Sequence, residues 1–180
     1  LSKGLFTSLA VYQLDRGNIA ITDPLNPGQS LLVNGQRSQG VEWEIGGNIR
    51  KNLQILAGYA YQNAEITRTL SSSLPVGTTL ALVPEHSAFV WGRWDANDRL
   101  GFGLGINSQS SVFASTSNTV RLPGFTRLDA AVYFSQNENL KWQLNVENLG
   151  DKRYFGSAHN DNNISVGTPR SAKLSVHFKF

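Results

Sequence analysis

Residues 141–180, KWQLNVENLGDKRYFGSAHNDNNISVGTPRSAKLSVHFKF, are the stretch whose reading decides the fold. Over its last ten positions Ala172, Leu174, Val176, Phe178 and Phe180 alternate with Ser171, Lys173, Ser175, His177 and Lys179. A strand turns successive side chains to opposite faces, so one face here is apolar and ends in two aromatics. The other face holds Lys173, His177, Lys179 and two hydroxyls. In a soluble sandwich the apolar face points into a core. In an outer-membrane barrel it points at lipid, and the polar face lines the lumen.

Upstream the same period recurs. Leu140, Trp142, Leu144 and Val146 oppose Lys141, Gln143, Asn145 and Glu147, while Thr126, Leu128, Ala130, Val132 and Phe134 oppose Arg127, Asp129 and Tyr133. Leu100, Phe102, Leu104 and Ile106 alternate with Gly101, Gly103 and Gly105, and residues 86–94 form a strand with two fairly apolar faces. Leu53, Ile55, Ala57, Tyr59 and Tyr61 face away from Gln54, Gly58 and Gln62; Val41, Trp43 and Ile45 face away from Glu42 and Glu44 within an extended stretch over 31–49. Residues 5–14 lack strict alternation; either face can be the buried apolar one, and Phe6, Ala10, Tyr12 and Leu14 are the preferred set. The expectation is an all-β antiparallel up-and-down meander of about eight strands.

The connections separate two architectures. Long ones fall near 22–30, 67–84, 108–123 and 150–168, and short ones near 50–52, 96–99 and 136–139. A barrel with short periplasmic turns and long extracellular loops requires this alternation. A sandwich has no reason to gather its long loops at one end.

Composition narrows the function classes. Apolar residues make up 40% of the 180, yet the longest unbroken apolar run is 130–134. A membrane helix needs about 20 in succession, so crossing by helix is closed and crossing by strand is not. A net charge of +3 is too small and too dispersed for a nucleic-acid footprint. Cysteine is absent, which removes disulfides and thiolate metal sites. Methionine is absent too, and no basic segment precedes an apolar one at the start. Two readings follow: a mature chain without its leader, or, preferred, the C-terminal piece of a longer protein.

Catalytic chemistry is poorly represented. The histidines are His86, His159 and His177, and no Gly-x-Ser-x-Gly elbow occurs. His159 with Asp161 supplies too few ligands to specify a metal. The expectation is no enzyme, no cofactor and no metal. Arg127 and Asp129 share a strand face and are expected to pair with lumen neighbours. Gly101, Gly103 and Gly105 allow two readings, a lumen wall kept smooth against an internal plug or small inward residues where the sheet curves; the second is preferred. Trp43, Tyr59, Tyr61, Trp94, Trp142, Phe178 and Phe180 lie toward strand ends on apolar faces, as interface aromatics do.

The terminal pattern also carries a resemblance. Asn148-Leu149-Gly150-Asp151-Lys152-Arg153-Tyr154, a polar loop, Gly167-Thr168-Pro169-Arg170 and an alternating strand ending in Phe resemble the C-terminus of TonB-dependent outer-membrane receptors. The loop over 158–164 is most similar to siderophore receptors of the catecholate type, and weaker similarity extends through 34–42 and 83–87. The resemblance implies a parent barrel of about 22 strands closed by an N-terminal plug, importing ferric siderophores with energy delivered through TonB. Residues 1–180 then form the last eight strands, with the plug absent and no transport by this piece alone. His159, Asn160, Asp161 and Arg121 become the candidate ligand-binding residues of the loops. Phe180, Phe178, Val176 and Leu174 become the signature read by the barrel-assembly machinery, with outer-membrane lipid as the other partner. Two further readings stay open: a self-contained eight-stranded outer-membrane barrel, structural or adhesive, and a soluble β-sandwich binding module.

Overall fold

The computed structural model describes residues 4–23, 25–69 and 75–179, the side chains of Val33, Asn34 and Thr69 excepted. Strands run in chain order as β1 Leu5–Arg16, β2 Ile19–Thr22, β3 Ser30–Arg50, β4 Leu53–Thr69, β5 His86–Asp95, β6 Leu100–Gln109, β7 Val112–Phe113, β8 Arg121–Leu122, β9 Phe125–Ser135, β10 Leu140–Glu147, β11 Phe155–Asn160, β12 Asn163–Val166 and β13 Ser171–Phe178. Eight of them form one antiparallel path, β1-β3-β4-β5-β6-β9-β10-β13, with β2 added beside the first half of β3. The meander expected from the alternation is therefore present. Among the described residues no pairing joins β1 to β13, so the path stays open at both edges.

Register fixes the two faces of the sheet. Ile45, Ala57, Val90, Ile106 and Leu128 are successive cross-strand partners, as are Phe134, Trp142 and Val176. This face is apolar from edge to edge, and its large side chains are exposed, Leu174 at 62% and Phe178 at 59%. The opposite row runs Glu44, Gly58, Phe89, Asn107, Arg127. A protein with water on both sides hides such a surface against a second layer; here one sheet presents it whole. Leu174, Val176 and Phe178 stand on this outward face, while Phe180 lies outside the described residues.

The first strand corrects one expectation. Leu9 pairs with Trp43 and Val11 with Val41, so Leu9 and Val11, 70% and 78% exposed, belong to the outward apolar face. Phe6, Ala10, Tyr12 and Leu14 lie on the other, where Phe6 covers Gly46 and the Tyr12 hydroxyl donates to Gln62 at 3.3 Å. Both faces of β1 are apolar in sequence, and only pairing with β3, whose alternation is clean, sets the register.

The connections divide as expected, yet the long ones are more structured than their composition suggests. β3 and β4 continue well beyond β5, reaching Ser30 and Thr69. β7 pairs with β8 inside the 108–123 connection, and β11 with β12 inside 150–168. Polar, glycine-containing segments must still satisfy their backbone groups, and local hairpins do so without a core. At the other end Ala96 and Gln136 each donate to the carbonyl four residues on, Leu100 and Leu140. Asn97 Oδ1 accepts the N–H of Arg99 and of Leu100, and Asn137 Oδ1 those of Asn139 and Leu140, the same asparagine turn built twice.

Aromatics mark two levels on the outward face. Trp94, Phe102, Phe134, Trp142 and Phe178 cluster near the short turns, with Trp94 and Phe102 stacked at 6.0 Å. Toward the long loops, Tyr59 and Tyr61 flank His86, and the Tyr59 hydroxyl lies 2.8 Å from His86 Nδ1. Along β5, Trp94 and His86 are eight residues apart, about 26 Å of strand and about 20 Å of height once tilted by about 40°. That is close to the apolar band of about 25 Å that an outer-membrane barrel presents.

Candidate functional site

The base of the site is a clamp built by the 148–154 segment. Asn148 is fully buried and takes a left-handed conformation, φ 52°, which asparagine tolerates better than most residues. Its backbone N–H donates to Asp129 Oδ1 at 2.8 Å. Its side-chain amide donates to the carbonyls of Lys152 (2.9 Å) and Thr168 (3.0 Å), while its oxygen accepts the Lys152 N–H. Leu149 N–H donates to the Leu128 carbonyl, and Asp151 Oδ1 accepts the N–H of Arg170. Both ends of the 150–168 loop are thereby pinned to β9.

Asp129 extends the clamp onto the inner face. Its Oδ2 accepts from Asn107 and from Arg127 Nη2, both at 2.9 Å, and Arg127 Nη1 donates to the Tyr154 hydroxyl. Arg127 and Asp129 thus pair with each other and with lumen neighbours. Tyr154 packs 4.2 Å, centroid to centroid, from Phe125 and lies directly on Gly167, where a side chain has no room.

The glycine row has an occupant of its own. The Trp91 ring lies flat on Gly103 and Gly105, and a methyl group at either position collides with it. Gly103 and Gly105 make room for an inward tryptophan from the neighbouring strand, while Gly101 lies against the Asp95 carboxylate. Above it, a cavity of about 600 Å³ on the inner face has Glu42, Glu44, Phe89, Asn107 and Arg127 among its walls.

Above the clamp the long loops lock together. Asn118 exchanges two hydrogen bonds with the Thr79 backbone, and Leu82 N–H donates to the Phe113 carbonyl. Asp161 Oδ2 accepts from the Ser117 hydroxyl at 2.6 Å and from Thr119 at 3.2 Å. Val112, Ala114 and Leu122 form a small core with Phe155, Ala158 and Ile164. Three loops from distant parts of the chain therefore make one body. The β2–β3 hairpin has a second small core, where Ile66 is packed by Ile19, Ile21, Leu31 and, from the loop body, Leu80.

Between hairpin and loop body lies a cleft of about 650 Å³. His159, Asn160 and Asp161 line it together, across from Asp23, Gln29 and Gln36. Arg121 does not join them: β8 pairing turns its guanidinium over the Phe113 ring at 5.6 Å, away from the cleft. The hairpin side escaped sequence reasoning. Asp23 had a local signal, since its carboxylate accepts the N–H of Leu25 and Asn26 and the Asn26 amide in a turn. Nothing in the sequence placed that turn opposite residue 159. Among the described residues no three His, Cys, Asp or Glu side chains gather to hold a metal ion.

A one-layer antiparallel sheet with an apolar outer face, two aromatic levels, short turns at one end and interlocked loops at the other is a section of transmembrane β-barrel wall. A family model described as TonB dependent receptor-like, beta-barrel, matches residues 1–149, and the chain belongs to that family of outer-membrane receptors. It is 29% identical over 189 aligned residues to the probable TonB-dependent siderophore receptor PiuA of Acinetobacter baumannii, covering 100% of this chain and 25% of that protein. It is 28% identical over 185 residues to the catecholate siderophore receptor Fiu of Escherichia coli K12, covering 100% of this chain and 24% of that one. The crystal structure of PiuA superposes with a TM-score of 0.85 at 28% identity over 100% of this chain and 27% of that one. The closed form of Fiu gives 0.81 at 27% identity, over 100% and 26%. The chain spans about a quarter of the length of the curated relatives it matches.

Proposed function

We propose that residues 1–180 are the C-terminal eight strands of the barrel of a receptor that takes up ferric siderophores across the outer membrane, with energy delivered through TonB. The observation that carries this reading is the cleft between the β2–β3 hairpin and the interlocked loops at the long-loop end of a lipid-facing sheet. His159, Asn160 and Asp161, with Asp23 opposite, are this chain's share of the ligand contacts. The plug and the remaining barrel strands belong to the rest of the receptor, and this piece alone transports nothing. Outer-membrane lipid covers the apolar face, and the barrel-assembly machinery inserts the chain through its terminal alternating strand. No catalytic role is assigned to it.

Neither alternative is supported. A self-contained eight-stranded barrel needs β1 paired to β13, and the sheet is open between them among the described residues. A soluble sandwich needs a second sheet over Leu104, Leu128 and Leu174, which are instead 57%, 41% and 62% exposed.

The test is uptake of radioactive iron as ferric siderophore complexes by iron-starved cells with and without the complete receptor. Uptake that needs both the receptor and TonB is expected. Uptake that persists without TonB, or is the same without the receptor, overturns the proposal.

A further inference from the structure

We infer that the outer cleft selects a neutral or positively charged ferric complex, of the trishydroxamate class, over a polyanionic ferric tris-catecholate. This rests on the siderophore-receptor reading and narrows its substrate class, departing from the catecholate type that the 158–164 loop resembles.

The inference comes from the charge balance of the walls. Two carboxylates, Asp23 and Asp161, line the cleft with His159 and amides such as Gln29, Gln36 and Asn160, and among the described residues no lysine or arginine lines it. The Asn26 amide, followed by the backbone N–H of Leu25, holds the Asp23 carboxyl below the usual range, so it is present as the anion. Asp161 is held by hydroxyl donors on one oxygen, and its other oxygen is buried without a hydrogen-bond partner. None of the described ion pairs involves either residue. Of the nearby cations, Arg121 lies over Phe113 and Arg37 pairs with Asp15 at 2.7 Å, while Arg16, in register with the wall residue Gln36, is not itself among the walls.

Ligand charge then decides. Three catecholates bring six negative charges to Fe³⁺ and leave a complex of net charge −3. Three hydroxamates bring three and leave a neutral core, made cationic by any pendant ammonium. A polyanion is ordinarily met by arginine or lysine, and a wall of two carboxylates and amides, with neither cation among its described residues, disfavours it. Amide oxygens and carboxylates accept from the N–H and ammonium donors of a hydroxamate chain.

The experiment titrates the complete receptor in detergent, by tryptophan quenching, with ferrioxamine B (a cationic trishydroxamate) and with ferric enterobactin (a tris-catecholate of charge −3). Ferrioxamine B should bind about tenfold tighter or more, and Gln29→Lys with Asn162→Lys should move the ratio toward enterobactin by about tenfold. Asn162→Lys alone, at the exposed β11–β12 turn, serves the same purpose if the double variant does not fold. Tighter binding of ferric enterobactin by the unaltered receptor, or a ratio indifferent to the added cations, overturns the inference and leaves the siderophore-receptor reading standing. Failure of every ferric siderophore to bind overturns that reading, and the inference with it.

Discussion

The backbone N–H of Asn148 donates to Asp129 Oδ1 at 2.8 Å, joining the first residue of the terminal loop to a carboxylate on the inner face of β9. Asn148 also makes three side-chain hydrogen bonds while fully buried. Each is worth about 1 kcal/mol net, and alanine at a left-handed φ adds about 1 kcal/mol of strain. Asn148→Ala should therefore destabilise the folded barrel by about 4 kcal/mol, read as a lowered melting temperature in detergent. Asn148→Gly relieves the strain without restoring the bonds and should fall between the two. A glycine variant as stable as the parent shows that the side-chain bonds contribute nothing.

Facing on β13 is tested by charge. Val176 stands on the outward apolar row and Ser175 on the inner one, opposite Gln143. An arginine at mid-membrane costs about 2–4 kcal/mol on the lipid face. Val176→Arg should lower the heat-modifiable folded band strongly, and Ser175→Arg should leave it nearly intact. Equal yields contradict the assigned facing.

Trp91 and the glycines beneath it make a coupled pair. Gly103→Ala forces the Trp91 ring off the sheet, an overpacking cost of about 1–3 kcal/mol. In a Trp91→Ala background the same change should cost much less, since the colliding ring is gone. A double-mutant cycle in detergent melting measures the difference. Additive effects mean that curvature, not the ring, demands glycine there.

The β11–β12 turn sets the topology. An epitope inserted at Asn162 should be reached by antibody on intact cells, because the turn belongs to the long-loop end, away from the turns at 96–99 and 136–139. Labelling only after permeabilisation inverts the orientation.

Asp23 supplies a pH dependence. Its folded-state pKa is lowered by the Asn26 amide and the Leu25 N–H, so the stabilisation it gives the hairpin turn is present above the ordinary carboxylate range. It is lost as pH falls through the lowered value. Amide exchange over 22–30 should accelerate on acidification, after correction for the intrinsic pH dependence of exchange, and Asp23→Asn should show no such acceleration. Identical corrected profiles remove Asp23 as the turn's organiser.

Much of the wall was legible in sequence, because lipid outside and water inside impose a two-residue period on every strand. Val41 to Ile45, Leu140 to Val146 and Ala172 to Phe178 therefore announce their facing without help from neighbours. The turns at 96–99 and 136–139 announce themselves through an asparagine that caps its own backbone. β1 did not, since both of its faces are apolar and only its register with β3 sends Leu9 outward and Tyr12 inward. The site was less legible still. His159, Asn160 and Asp161 looked like any polar loop, and Arg121 like a reasonable companion. Asp161 meets Ser117 across 44 positions, Asn118 meets Thr79 across 39, and Asp23 faces the same cleft from the far end of the chain. Local period and turn chemistry act over a few residues, so the sequence by itself determined the eight strands of the wall, the outward faces of those that alternate cleanly, and the family. Which loops lock together, and which charges line the space between them, depends on sheet order and strand length, and the tertiary structure alone decided it.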